Sequence, residues 1–426
     1  MAVRKFQIPY GKKEIEFVLD RDDYYILDKR VTGAKPQSEI VLENLNKPIN
    51  FPAFEDYFKN SKNVAVVIPD KTRKSGTHLY LPLIIEKFNN IGISSDNITL
   101  FFANGTHGKM TDFEKISILG EKIFKKFKIF EHDCTEKSNL TYIGTTKNGT
   151  KIHINTEVLK YDKILLTGSV NFHYMAGFGG GLKTLIPGLA GLETALKNHS
   201  FTIDPENPGL NPLCVEGVIE KNPLFDDIFL ILDFISPPPV FNTILNDTGE
   251  IINAVFGHPV DAFKSGCKKL LDYFSMQVTK KADLIIMSPG GYPKDINLIQ
   301  THKSINRCWN ILSDNGILIV AAECIDGIGS STFLDWFEYH DITEMHKRLN
   351  ADFKMNGNTA LSYKIKINEK RIFFVSNADG KIFEKMGLKK FNTLKEALDE
   401  SYNLINNNQL TYLIPNGSYI FPVLDI

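Results

Sequence analysis

Short, almost wholly apolar runs recur along this chain, and a longer amphipathic stretch separates each from the next. The runs are Val64–Pro69, Ile98–Ala103 and residues 163–167, 284–288, 317–321 and 373–375. Three to six residues, rich in β-branched and aromatic types and without polar alternation, fit strands covered on both faces. Between them, residues 81–90 and 112–126 carry apolar positions at helical spacing. Strand and helix in alternation specify an α/β fold with mainly parallel sheets flanked by helices. At roughly 100–200 residues per domain, 426 residues make two such domains.

Three stretches break the rhythm. Residues 228–234, 240–246 and 250–256 read as antiparallel strands, with Asp247-Thr248-Gly249 as a turn and Pro237-Pro238-Pro239 as a loop. Residues 5–9 and 14–19 read as an opening hairpin around Tyr10-Gly11-Lys12. The expected boundaries are 1–265 for an N-terminal cofactor-binding and catalytic domain and 266–410 for a C-terminal α/β domain. The tail, 411–426, is expected to pack back on the first.

Charge and composition exclude several classes of function. Lys and Arg number 49 against 50 Asp and Glu, a net charge of −1, so no broad attraction to nucleic acid or an anionic membrane follows. The longest nearly apolar run, 316–325, is far short of the ~20 residues of a membrane helix. The first residues lack the apolar core of a secretory signal, and a soluble cytoplasmic protein is expected. Five widely spaced cysteines form neither a disulfide framework nor a zinc knuckle, and they read as structural.

The unusual residues fall directly after the strands. Asp70-Lys71-Thr72-Arg73 follows the first run, and Asn104-Gly105-Thr106-His107 the second. The third leads through His173 to Ala176-Gly177-Phe178-Gly179-Gly180-Gly181-Leu182-Lys183. Pro289-Gly290-Gly291 follows the fourth. Ligands of open parallel sheets bind outside the carboxyl ends of strands. These ends therefore point to an enzyme whose active site lies in a cleft between the two domains.

Each feature also has a plainer explanation. Gly177, Gly179, Gly180 and Gly181 suit close backbone approach to an anion, although a surface turn uses glycine equally well. Leu182 breaks both the P-loop and the dinucleotide pattern. Lys183 at the bend suits a phosphate contact or, as an amine, a covalent bond to a cofactor; both remain open. His107 and His173, in strand-end loops, suit general acid/base work. His199 continues a face made by Leu189, Leu192 and Leu196, either as a core histidine or as an inward metal ligand. Arg73 has the fork for a carboxylate or phosphate, or pairs with Asp70 at the surface. Gln300 and Lys303, three apart on an expected helix, face one way toward an anionic substrate.

Taken together, these motifs resemble the nickel-dependent lactate racemase family and its 2-hydroxyacid racemase and epimerase relatives. The resemblance rests on Asp70-Lys71-Thr72-Arg73, Gly105-Thr106-His107, His173 with the glycine run to Lys183, Pro187-Gly188, Asn198-His199, and Gly290-Gly291 with Gln300 and Lys303. It implies a nickel pincer nucleotide, a pyridinium mononucleotide tethered by a thioamide to Lys183 and installed by cofactor-maturation enzymes. It further implies nickel held in part by His199, and cofactor contacts from Asp70 and the glycines. His107 and His173 are then paired acid/base groups, and Arg73, Gln300 and Lys303 hold the substrate. The implied reaction inverts C2 of a 2-hydroxycarboxylate by reversible hydride transfer, which avoids a carbanion beside a carboxylate.

This chain departs from the family at Lys74, Leu182 and Ile299, and Ile299 leaves a larger hydroxyacid or a sugar acid as open as lactate. The alternatives are a nucleotide-dependent enzyme that uses the glycine loop without nickel, and a non-catalytic nucleotide-binding family member.

Overall fold

A computed structural model describes residues 4–19, 23–405 and 410–425. The chain forms two compact α/β units. Arg30–Phe201 with Leu213–Tyr273 makes the N-terminal unit; Met1–Lys29, Thr202–Pro212 and Phe274–Ile426 make the C-terminal one.

The N-terminal unit is built on a six-stranded sheet in the order Ile251–Gly257, Val240–Leu245, Lys163–Ser169, Val64–Pro69, Ile98–Ala103, Lys128–Glu131. All neighbours are parallel except the first pair. Every residue of Val64–Pro69 and Ile98–Ala103 is buried, which is why those runs show no polar alternation. Successive strands lie to one side of Val64–Pro69, and the later Lys163–Ser169 lies to the other. The order therefore reverses there, and the carboxyl ends of three strands open onto one edge.

In the C-terminal unit six short strands pair in parallel throughout: Lys389–Phe391, Arg371–Val375, Leu312–Ala321, Ala282–Met287, Thr411–Ile414 and Tyr24–Ile26. No helix among the described residues is long and apolar enough to cross a membrane.

Five details differ from the sequence expectation. Residues 228–232 are not a strand but the end of a helix, Pro223–Leu232, capped by the Asn222 side chain with proline in its first turn, and 233–234 form the turn after it. The expected helix over 112–126 is broken at Gly120 (φ 78°) into two. The tail does not return to the N-terminal unit: Thr411–Ile414 pairs with Ala282–Met287. The opening hairpin also belongs to the C-terminal unit, where Ile8, Tyr10, Phe17 and Leu19 share a core with Leu284, Ile286, Ile317 and Ile319. Gly11 there donates its N–H to the buried Asp295 carboxylate at 2.6 Å. The unit boundary falls after the helix Pro259–Phe274 begins, at Tyr273, and not at 265.

Candidate active site

Asp70 is the first residue beyond Val64–Pro69 and is 3% exposed. One carboxylate oxygen accepts from the Thr72 amide (3.1 Å) and hydroxyl (2.7 Å), which closes the turn that carries Arg73. The other lies 2.6 Å from Nδ1 of His107, from the next strand end. Burial alone pushes the Asp70 carboxyl upward. The bond to His107, the charge of that ring, Thr72 and Arg73 outweigh it and hold the group below its usual value. Asp70 is therefore ionised, and His107 donates from Nδ1 and keeps Nε2 as its basic nitrogen.

His173 ends the short strand Asn171–His173, which pairs with Gly177–Gly179. The amides of Met175 and Ala176 donate to its Nδ1 at 3.3 and 3.1 Å. The glycine run is shaped by protein contacts. A Cβ on Gly177 would lie 1.9 Å from the Val218 carbonyl oxygen, at φ +76°. On Gly180 it would meet the Phe263 ring at 2.5 Å, and on Gly179 the Asn171 amide at 2.6 Å. The Gly181 amide is taken by the Asn242 side chain at 2.6 Å. Gly177→Ala is expected to cost about 2–5 kcal/mol, from left-handed strain plus overpacking, read as a lower urea midpoint at unchanged slope.

Lys183 lies in the one-turn helix Leu182–Leu185. Burial first, and the charge of Arg73 second, lower its ammonium to about 7, so a large share is the nucleophilic free amine at neutral pH. His199 lies near the end of Leu192–Ser200. The buried face of that helix is Thr194, Ala195 and Asn198, whereas Leu192, expected to point inward, is exposed. Nδ1 of His199 donates to the Ala195 carbonyl at 2.8 Å, which leaves Nε2 as the lone-pair nitrogen. Burial first, then the positive charges of Lys183, Arg73 and His107, bring the ring down to about 4 against the Ala195 bond, which pulls it up. His199 thus lies within electrostatic reach of Lys183, Arg73 and His107, and Lys183 within reach of Arg73.

Supporting residues were harder to read in the sequence. His132 donates from Nε2 to the Ala190 carbonyl (3.0 Å) and accepts at Nδ1 from Asn155 (3.1 Å), while the Asn155 amide holds the Leu189 carbonyl. Together they fix the segment between Lys183 and His199. The buried Asp227 carboxylate accepts from Thr146, Thr150 and Asn198, the neighbour of His199. Asn242, a polar residue in an otherwise apolar strand, has a buried Nδ2 with no partner among the described residues, beside the Gly180–Gly181 bend. Gln300 and Lys303 belong to the C-terminal unit, on the helix Leu298–Cys308, where the Lys303 ammonium donates to Gln300 Oε1 at 2.7 Å.

Residues 10–210 match the lactate racemase N-terminal domain, and residues 277–421 match the lactate racemase C-terminal domain. The chain belongs to the lactate racemase family. A lactate racemase from Thermoanaerobacterium thermosaccharolyticum is 28% identical over 421 residues, which is 96% of this chain and 97% of that protein. One from Lactiplantibacillus plantarum is 24% identical over 427 residues, again 96% of this chain and 97% of that protein. The structure of the T. thermosaccharolyticum lactate racemase apoprotein superposes with a TM-score of 0.91 at 27% identity, covering 99% of this chain and all of that one. A Thermotoga maritima crystal structure shares the fold, with a TM-score of 0.67 at 17% identity over 94% of this chain and all of that one. Members of the family named in this way are isomerases.

Proposed function

We propose that this chain racemises lactate or a related 2-hydroxycarboxylate with a nickel pincer nucleotide tethered to Lys183. The observation that supports the reading is that Arg73, His107 and Lys183 all act electrostatically on His199 in a lactate racemase family member.

The side chains fit the cofactor. A half-buried lysine whose amine is substantially neutral suits covalent attachment, and a neutral imidazole with Nδ1 pinned to a carbonyl suits a metal ligand. Among the described residues no three His, Cys, Asp or Glu side chains gather around a metal site. Nickel at His199 therefore requires donors from outside the protein, as the cofactor's sulfur and carbon atoms would be. When bound, the cofactor supplies the electrophile that protein side chains lack, and so allows hydrogen to leave C2 with its electron pair.

The chain's own residues do the rest. Arg73 holds the substrate carboxylate through its planar fork. His107 accepts the hydroxyl proton at Nε2, and the ionised Asp70 stabilises the resulting imidazolium. His173, from a separate loop, is the partner acid/base group for the opposite face, which inversion requires. Gln300 and Lys303 serve as further substrate contacts. Asp70, which the resemblance assigns to the cofactor, acts in this reading through His107; the glycines, which the resemblance also assigns to the cofactor, act in it by shaping the bend that carries Lys183. Such a cofactor requires maturation enzymes, and a cytoplasmic setting is part of the same proposal. No observation favours phosphoryl transfer: the Gly181 amide is already consumed, and the helix after it has four residues.

The test is polarimetry on protein matured with its accessory enzymes, with lactate first and then a panel of hydroxyacids and sugar acids. Rotation is expected to decay to zero from either enantiomer of lactate. Stable rotation across the panel, with nickel and adduct both present, would overturn the reading. His199→Ala should lose nickel by elemental analysis while the Lys183 adduct remains by intact mass; full nickel occupancy would remove the ligand role.

A further inference from the structure

The two acid/base histidines are held in opposite ways. His107 gives its Nδ1 proton to a carboxylate, whereas Nδ1 of His173 receives two backbone N–H groups. A nitrogen facing two donors must offer a lone pair, so neutral His173 carries its proton on Nε2. The turn that presents those donors is itself clamped. Asn222, fully buried, donates from Nδ2 to the Met175 carbonyl at 2.9 Å and toward the Val218 carbonyl at 3.5 Å. Its Oδ1 meanwhile accepts the Leu224 amide and caps the helix Pro223–Leu232. Gly177, just beyond the turn, accepts from the Gly217 amide on the same 217–222 segment.

We infer that Asn222 is a positioning residue: by clamping the 173–176 turn it fixes His173 as the Nε2–H tautomer, opposite to His107, so that the resting site presents one proton acceptor and one proton donor. Its catalytic consequence rests on the racemase reading; the tautomers themselves do not. One enantiomer meets a ready base in His107. For the other, His173 takes up a proton only if the turn releases Nδ1. The two enantiomers have equal free energy in water, so kcat/KM is the same in both directions. The asymmetry therefore appears as unequal kcat values matched by unequal KM values.

Long-range proton–nitrogen NMR of the 15N-histidine-labelled apoprotein at mildly alkaline pH tests this. The expected wild-type pattern is Nδ1–H for His107 and Nε2–H for His173. Asn222→Ser keeps a capping oxygen but does not reach Met175; it should convert the His173 signals to a mixture of tautomers and leave His107 unchanged. Protonation of His173 at Nδ1 in wild type, or an unchanged His173 pattern in the variant, overturns the assignment, and the wild-type spectrum decides even if the variant fails to fold. In matured enzyme the ratio of the two kcat values should shift by about threefold or more, whereas a merely structural loss lowers both equally. Expected tautomers without racemisation would keep this inference and reject the function; racemisation with matching tautomers would do the reverse.

Discussion

With arginine at position 183, protein matured alongside its accessory enzymes is expected to show no covalent adduct by intact mass and no racemisation above background. Arginine preserves the positive charge and much of the volume, but its guanidinium is never deprotonated in a protein and offers no amine. The substitution therefore separates the two roles that Lys183 has in principle. A lysine that only paired a phosphate would be replaced rather well by an arginine fork, with modest loss of activity. A lysine that forms a bond would not be replaced at all. The structure favours the second, because burial and Arg73 lower the ammonium to about 7, whereas an ordinary lysine near 10.4 has only about four molecules in ten thousand unprotonated at neutral pH. A full-mass adduct on the arginine variant would move the attachment to another residue.

The features that showed in the sequence are those set by local pattern. Val64–Pro69 and Ile98–Ala103 read as doubly covered strands because burial on both faces removes polar alternation, and the residues after them emerge on the same side because parallel strands end together. What the sequence hid depends on partners far along the chain. Residues 228–234 are apolar enough for strand or helix, and the deciding signals, Asn222 and Pro223, precede that window. Membership of the hairpin and tail in the C-terminal unit rests on contacts such as Gly11 to Asp295 and Thr411–Ile414 to Ala282–Met287, which no periodicity announces. The glycine run shows the same limit. Its spacing suggested an anion loop, yet Val218, Phe263 and Asn242 pack where side chains would otherwise project. Asp70 and His107, 37 residues apart, could each be singled out, but their mutual bond could not.

That bond makes the second large effect. Asp70→Asn should leave the fold and the Lys183 adduct in place while kcat falls by about 10²–10⁴-fold, the range set by losing a carboxylate that holds an imidazole tautomer and stabilises its charged form. The size follows from two losses at once. The carboxamide no longer compels Nδ1 to carry the proton, so a share of His107 presents Nε2–H and cannot accept. It also withdraws a negative charge, itself 3% exposed, from beside the imidazolium that forms when the hydroxyl proton is taken. If Asp70 instead bound the cofactor directly, Asp70→Asn would lower adduct or nickel content, and mass and elemental analysis would show it. The double variant separates the remaining possibilities. When Asp70 acts only through His107, adding Asp70→Asn to His107→Ala costs little more, because the interaction it supports is already gone. Fully additive losses in that cycle would mean that the carboxylate does something for the reaction that His107 does not transmit.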